Sequence, residues 1–264
     1  MADSSDEDDT VEISLADDEP LVRKFVPCRK PKRLDGAATY DDQTTYIEIC
    51  VVGNVNVGKS STMKRIAERK FDGTRNATIG IDTLFVNIMS NAPAYDRKTH
   101  VSIVDTAGDD RFMSVVPQRL RSPFGIFLMF DATRRETFDA LTRWSEIVSR
   151  HNDYCCRMLV ANKIDLYKKL PEAERWMDSI NWENECDRLL CDEGFHCVSA
   201  LDGENIDSMF VEMVDYAIER QAEIEKEAAA GDSAPQRAGA TNSGVVNISN
   251  KVTNYTRSKT TCQC

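Results

Sequence analysis

The chain has 264 residues, of which 41% are hydrophobic, and a formal net charge of −11. That length suits one medium-sized domain with tails, and no apolar run approaches the roughly 20 residues of a membrane-spanning helix. The charge is local: the nine acids of residues 1–20, with no base among them, carry all but two units of it. A body so nearly neutral is not expected to take nucleic acid as a partner.

Met1–Asp9 is acidic rather than basic-then-apolar, so no secretory leader is expected. The nine cysteines therefore read as reduced thiols. Cys50, Cys155, Cys156 and Cys197 fall in or beside apolar runs, as core thiols do. Residues 1–43 read as a disordered arm, because the acidic block is followed by Arg23, Lys24, Arg29, Lys30, Lys32 and Arg33 with no acid between them. A solubilising tail and a docking arm for a partner or membrane surface both fit that pattern.

Ordered periodicity fills 44–227. Strand-like runs at 46–52, 81–89, 99–104, 124–130, 156–161 and 195–198 alternate with helix-like runs at 58–69, 112–119, 135–150, 182–192 and 206–227. Such alternation predicts an α/β domain with a mostly parallel sheet and helices on both faces. Only a loop around Asn91-Ala92-Pro93-Ala94 separates the second and third runs, so one of the six strands should be antiparallel. The segment Lys168–Ser179 is long for a connection and has Trp176 in it and Trp182 nearby. A packed surface helix and a partner surface are equally open there. Beyond Glu227 the composition turns to Ala, Gly, Ser, Thr and Asn, which marks 228–264 as a flexible tail.

Gly53-Asn54-Val55-Asn56-Val57-Gly58-Lys59-Ser60 fits the phosphate-loop pattern G-x-x-x-x-G-K-[ST], between an apolar strand and a helical stretch. In that context the backbone N–H groups of Asn56, Val57 and Gly58 and of the first helical turn, with Ser60 and Ser61, cradle phosphates. Lys59 reaches the β- and γ-phosphates, and the Ser60 hydroxyl ligates Mg²⁺. Asp105-Thr106-Ala107-Gly108 follows the strand Val101-Ser102-Ile103-Val104, so Asp105 stands at a strand end where an acid holds Mg²⁺ through water. Gly108 offers its N–H to a γ-phosphate oxygen.

The base follows from Asn162-Lys163-Ile164-Asp165, again at a strand end. The Asp165 carboxylate accepts from guanine N1–H and the N2 amino group, a donor pair that adenine lacks. The aliphatic stem of Lys163 suits the ring face. Ser199-Ala200-Leu201 would bring backbone N–H groups toward guanine O6. A P-loop NTPase, with GTP/GDP and Mg²⁺ as cofactors, is the expected result. A P-loop kinase leaves Asn162–Asp165 without a purpose.

These motifs resemble the Ras superfamily of small GTPases, and its Rab branch most of all, over about residues 44–222. Thr78-Ile79-Gly80-Ile81-Asp82 is similar to the Rab switch I segment T-I-G-V-D, and Asp105–Phe112 to the switch II segment D-T-A-G-Q-E-R-F. The resemblance implies that Phe71 packs edge-on to guanine, though an ordinary core position stays open for it. It also implies that Thr78 ligates Mg²⁺ only when the γ-phosphate is present, so that one phosphate orders a loop. Lys59, Thr78 and the residue after Gly108 are then the catalytic set. A Ras- or Rho-like signalling protein fits Thr78–Asp82, Arg111-Phe112 and the C-terminus less well.

Two positions depart from the family. Asp109 stands where the family has its water-orienting glutamine, and a carboxylate accepts but cannot donate. Val55 stands where the family has a small residue facing the γ-phosphate, and a branched side chain crowds that place. Slow hydrolysis is expected, and a hydrolysis-deficient GTP-binding scaffold is the alternative. Arg75 lies at the offset where G-protein α subunits carry an arginine in cis, although such an arginine is more often only a solvated switch residue. The terminal Cys262-Gln263-Cys264 resembles the doubly prenylated end of many Rab proteins, and two lipid chains are what stable anchoring needs. The resemblance further implies effectors at the two switches, an exchange factor, a prenylation escort and a GDI-like protein. It places the chain on the cytoplasmic face of an endomembrane, with a cytosolic pool, in vesicle traffic.

Overall fold

In the computed structural model, residues 24–27, 44–71, 73, 78, 80–89, 98–112 and 114–229 are described. The strands are β1 (Lys24–Pro27), β2 (Thr44–Val52), β3 (Ile81–Met89), β4 (Lys98–Thr106), β5 (Gly125–Asp131), β6 (Cys156–Asn162) and β7 (Phe195–Cys197). The helices are α1 (Lys59–Glu68), α2 (Val116–Arg119), α3 (Arg135–Asp139), α4 (Leu141–His151), α5 (Ile164–Tyr167), α6 (Trp182–Leu189) and α7 (Ile206–Ala229). The sheet order is β1-β3-β4-β2-β5-β6-β7. The six expected strands are all present, and β3 is the one antiparallel to β4.

The seventh strand is a correction to the expected arm. Residues Lys24–Pro27 pair antiparallel with β3, Phe25 opposite Ile88 and Val26 opposite Asn87. An edge strand presents a row of unpaired backbone groups, and Phe-Val favours the extended chain that can satisfy them. Pro27, which lacks an N–H, closes the strand as an edge position allows.

Every residue of β5 and β6 is buried, as in parallel strands covered on both faces. One face packs Met63 and Ile66 of α1 with Phe210 and Met213 of α7. The opposite face packs Val116, Trp144, Val148 and Leu189. The cysteines read as core thiols are buried and in no disulfide among the described residues, and Cys186 and Cys191 are buried likewise.

Three expected helices come out shorter or divided. The run at 112–119 is a 3₁₀ turn at Asp110–Phe112 followed by α2, because Pro117 can begin a helix but not sit inside one. The run at 135–150 splits at Ala140. The run at 182–192 ends when Leu190 turns left-handed at φ 57°. At the other extreme, α7 continues two residues past the expected boundary, to Ala229.

The long connection resolves in favour of packing. Trp182 stacks on Phe195 at 3.9 Å, and Trp176 donates its indole N–H to the carbonyl of Ala132 at 2.9 Å. Arg134 pairs with Asp131 at 3.3 Å, and Arg135 lies over the Trp176 ring.

Candidate functional site

The C-terminal ends of the parallel strands meet at one edge of the sheet, where open α/β folds place ligands. The chain leaves β2 through a loop that only glycine permits. Gly53 has φ +145°, and a Cβ there would stand 2.1 Å from the carbonyl oxygen of Met129 on β5. Gly58 has φ +95°, and its Cβ would stand 2.2 Å from Nδ2 of Asn162. The turn is therefore pressed against the ends of β5 and β6. It opens onto α1, whose N-terminus has no side-chain cap and no acid in its first turn. Uncapped N–H groups at the positive end of a helix dipole suit an anion.

Lys59 folds back over the loop. Its Nζ donates to the carbonyls of Gly53 and Asn54, each at 2.8 Å. Burial pushes its pKa down to about 8, against the opposing pull of Asp105. The ammonium thus lies inside the cradle it was expected to serve.

Ser60, Thr78 and Asp105 converge from three separate elements. The Ser60 and Thr78 hydroxyls are 2.7 Å apart, and Thr78 donates to Oδ2 of Asp105 at 3.3 Å. Oδ1 of Asp105 is buried without a hydrogen-bond partner among the described residues. Burial raises the Asp105 pKa, and bonds from Ser60 and Thr78 with the charge of Lys59 oppose the rise. Three oxygens with an unsatisfied buried carboxylate oxygen form a donor set for a hard cation, and they fit Mg²⁺. Gly108 closes the site from the other side: a Cβ on it would lie 2.4 Å from the Asn54 carbonyl carbon and 2.5 Å from Lys59 Nζ. The Ala107 N–H, bonded to the Gly80 carbonyl at 2.9 Å, ties the two switch segments together.

At the far end the N-K-x-D residues are each fixed. Asn162 donates from Nδ2 to the Val57 carbonyl at 2.9 Å and accepts the Ala200 N–H at 3.2 Å. Lys163, at φ 66°, donates to the Asn56 carbonyl at 2.7 Å and to Asp131 at 2.6 Å. Asp165 accepts the Ser199 hydroxyl at 2.9 Å and is 8% exposed. The Ser199–Leu201 loop is bonded to the rest of the site. The Ser199 N–H goes to the Glu204 carbonyl and the Ala200 N–H to Asn162, so this loop first orients Asn162 and Asp165. Leu201 is exposed.

A profile of the Ras family matches residues 48–219. This chain belongs to the Ras family. Its similarities run to Rab proteins: it is 33% identical to the Ras-related protein Rab-18 of Caenorhabditis elegans over 132 residues, 49% of this chain and 63% of that protein. It is 36% identical to Rab-18-B of Danio rerio over 130 residues, 47% of this chain and 60% of that protein. With Rab-12 of Mus musculus it shares 28% identity over 174 residues, 64% of this chain and 66% of that protein. The chain is thus a divergent, Rab-like member of the family, and the matches span less than two thirds of these relatives' lengths.

The departures of this Ras-family chain lie at the γ-phosphate end. Both carboxylate oxygens of Asp109 are taken by Arg111: Nε donates to Oδ1 at 3.0 Å, Nη2 to Oδ2 at 2.8 Å, and the Arg111 backbone N–H to Oδ1 at 2.9 Å. That grip holds the Asp109 pKa at about 2. Val55 is 44% exposed, beside the place where Gly108 meets the loop. Phe71 is 38% exposed, which removes the core position left open for it. Arg75, Cys262 and Cys264 lie outside the described residues, as does most of 72–79.

Two residues of the site escaped sequence reasoning. Asp131 is 2% exposed at the end of β5 and anchors Lys163. Its signal was an acid at a strand end, in Phe130-Asp131-Ala132-Thr133. Trp144 donates its indole N–H to Oδ1 of Asn54 at 3.0 Å. Nothing local in the sequence marks that contact.

Proposed function

We propose that this Ras-family chain is a GTP/GDP switch that recruits effectors in vesicle traffic and hydrolyses GTP slowly. The convergence of Ser60, Thr78 and Asp105 carries the reading of a switch. A threonine from a separate loop meets the metal-side oxygens of the cradle, so a metal and γ-phosphate bound there would add a hold on that loop that goes when the phosphate leaves. Ser60 and Thr78 would hold Mg²⁺ with Asp105 behind them, and the ion would supply charge neutralisation at the β- and γ-oxygens. Gly53, Asn56, Val57, Gly58, Lys59, Ser60 and Ser61 bind the phosphates, and Gly108 meets the γ end. Asn162, Lys163 and Asp165 hold guanine, with Ser199–Leu201 orienting them and Phe71 at its edge.

Slow turnover is supported by two observations. The Asp109 carboxylate is bound by Arg111 and has no proton to donate. Val55 adds a branched side chain beside Gly108. The same pair of observations favours a second reading, a GTP-binding scaffold that keeps its nucleotide.

Nucleotide content of the purified chain, with GTP and GDP dissociation rates, separates the two. A switch exchanges and shows effector binding that depends on the nucleotide; a scaffold keeps one nucleotide almost permanently. Anchoring at the cytoplasmic face of an endomembrane through prenylated Cys262 and Cys264 belongs to the same proposal. No helix among the described residues is long and apolar enough to cross a membrane. Replacing both cysteines with serine should release the chain from membranes in a fractionation assay; unchanged membrane content would rule out the lipid anchor. Exchange factor, escort and GDI-like partners follow from the same family reading.

A further inference from the structure

Trp144 sits on the buried face of α4, 3% exposed, in the core shared with Val116, Leu120 and Val148. An indole N–H buried among apolar groups needs an acceptor. The acceptor here is not on the neighbouring turn or on the sheet. It is the side chain of Asn54, the second residue of the phosphate loop and 90 positions earlier in the chain.

The Asn54–Val55 peptide is held from three directions. Trp144 takes the Asn54 side chain at 3.0 Å. Lys59 takes the Asn54 carbonyl at 2.8 Å. Gly108 stands so close to the Asn54 carbonyl carbon and the Val55 nitrogen that no Cβ fits between them. Lys59 and Gly108 are parts of the phosphate site themselves. Trp144 is not; it comes from a helix that also packs on α2 of the switch II segment.

We propose that Trp144 is a positioning residue for the bound nucleotide: its indole N–H, through Asn54, sets the peptide at the γ side of the cradle and thereby the nucleotide's residence time. This rests on the reading of 53–60 as a nucleotide site. A glycine-punctuated loop has no rigidity of its own, so its geometry must come from what surrounds it. Removing the N–H takes away one of the three holds on that peptide while leaving every direct phosphate contact in place.

The test uses the full chain loaded with a fluorescent, non-hydrolysable GTP analogue, chased with excess GTP, in wild type, Trp144→Phe, Asn54→Ala and the double variant. Each single change should speed release about five- to ten-fold, the effect of one buried hydrogen bond. The double variant should release no faster than the faster single one, because both remove the same contact. Val148→Ala loosens the same helix one turn away, and it should lower thermal stability while leaving release unchanged. Multiplicative effects in the double variant, or an unchanged rate in either single one, would overturn the proposal. Failure of the wild-type chain to retain the analogue at all would overturn the underlying site reading, and the proposal with it.

Discussion

At the base end of the cleft, Asn162, Lys163 and Asp165 are each tied to another part of the site: to Val57, to Asn56 and Asp131, and to Ser199. At the γ-phosphate end, Val55 stands exposed and the Asp109 carboxylate is closed on Arg111. The difference separates two demands that one cleft must meet. Holding a nucleotide needs donors and acceptors locked in place before the ligand arrives. Turning it over needs a group left uncommitted, able to both accept from water and donate to the developing charge. In the function proposed above, the ties at the base end serve the first demand, and the Asp109 carboxylate, engaged by Arg111, does not serve the second.

That contrast can be broken at either end. The largest effect is expected at Gly53. Its φ of +145° and the 2.1 Å approach of a Cβ to the Met129 carbonyl mean that Gly53→Ala must move β5 or the loop. A loss of about 3 kcal/mol or more is expected in thermal or denaturant unfolding; a stability within 1 kcal/mol of wild type would show that the loop is not pressed on the sheet. Asp165→Ala comes next. It removes a charged acceptor at a site that is otherwise intact, so GDP affinity should fall on the order of 100-fold, with little change in stability. A titration showing wild-type affinity would place guanine recognition elsewhere.

The smallest effect concerns the Asp109–Arg111 pair. A depressed carboxylate pKa means that the charged form is favoured in the folded chain, and that advantage is lost only as pH falls toward about 2. The Asp109 carboxyl signal should therefore stay flat by NMR from neutrality to about pH 3.5. In Arg111→Ala it should begin to titrate within that range. Identical curves would mean that the pair does not hold the carboxylate in solution.

Much of this arrangement was legible in the sequence because its signals are local. A strand, a glycine turn and a helix follow one another within 44–68, and N-K-x-D stands at the end of an apolar run. What escaped is what distance hides. The strand at Lys24–Pro27 is only four residues long, too short for a period, and its partner lies some 60 positions away. Trp144 reads as one more apolar position on the buried face of a helix, and only its fold neighbour makes it part of the phosphate loop. Arg111 was in plain view two residues from Asp109. It was read as part of a motif, whereas the structure gives it a second occupation, closing on the residue that replaces glutamine. The sequence places the amides of Ser199 and Ala200 near the base but does not show that they also bond to the Glu204 carbonyl and to Asn162.

The central claim is that this site binds well and hydrolyses poorly, for reasons that lie in Val55 and Asp109. Single-turnover GTP hydrolysis measured on the wild-type chain and on Val55→Ser, Asp109→Gln and the double variant tests it most directly. The account predicts a slow wild type, a gain in each single variant, and a gain on the order of 100-fold in the double one, the size expected when a transition-state contact is restored. A wild-type rate already equal to that of the double variant would contradict it.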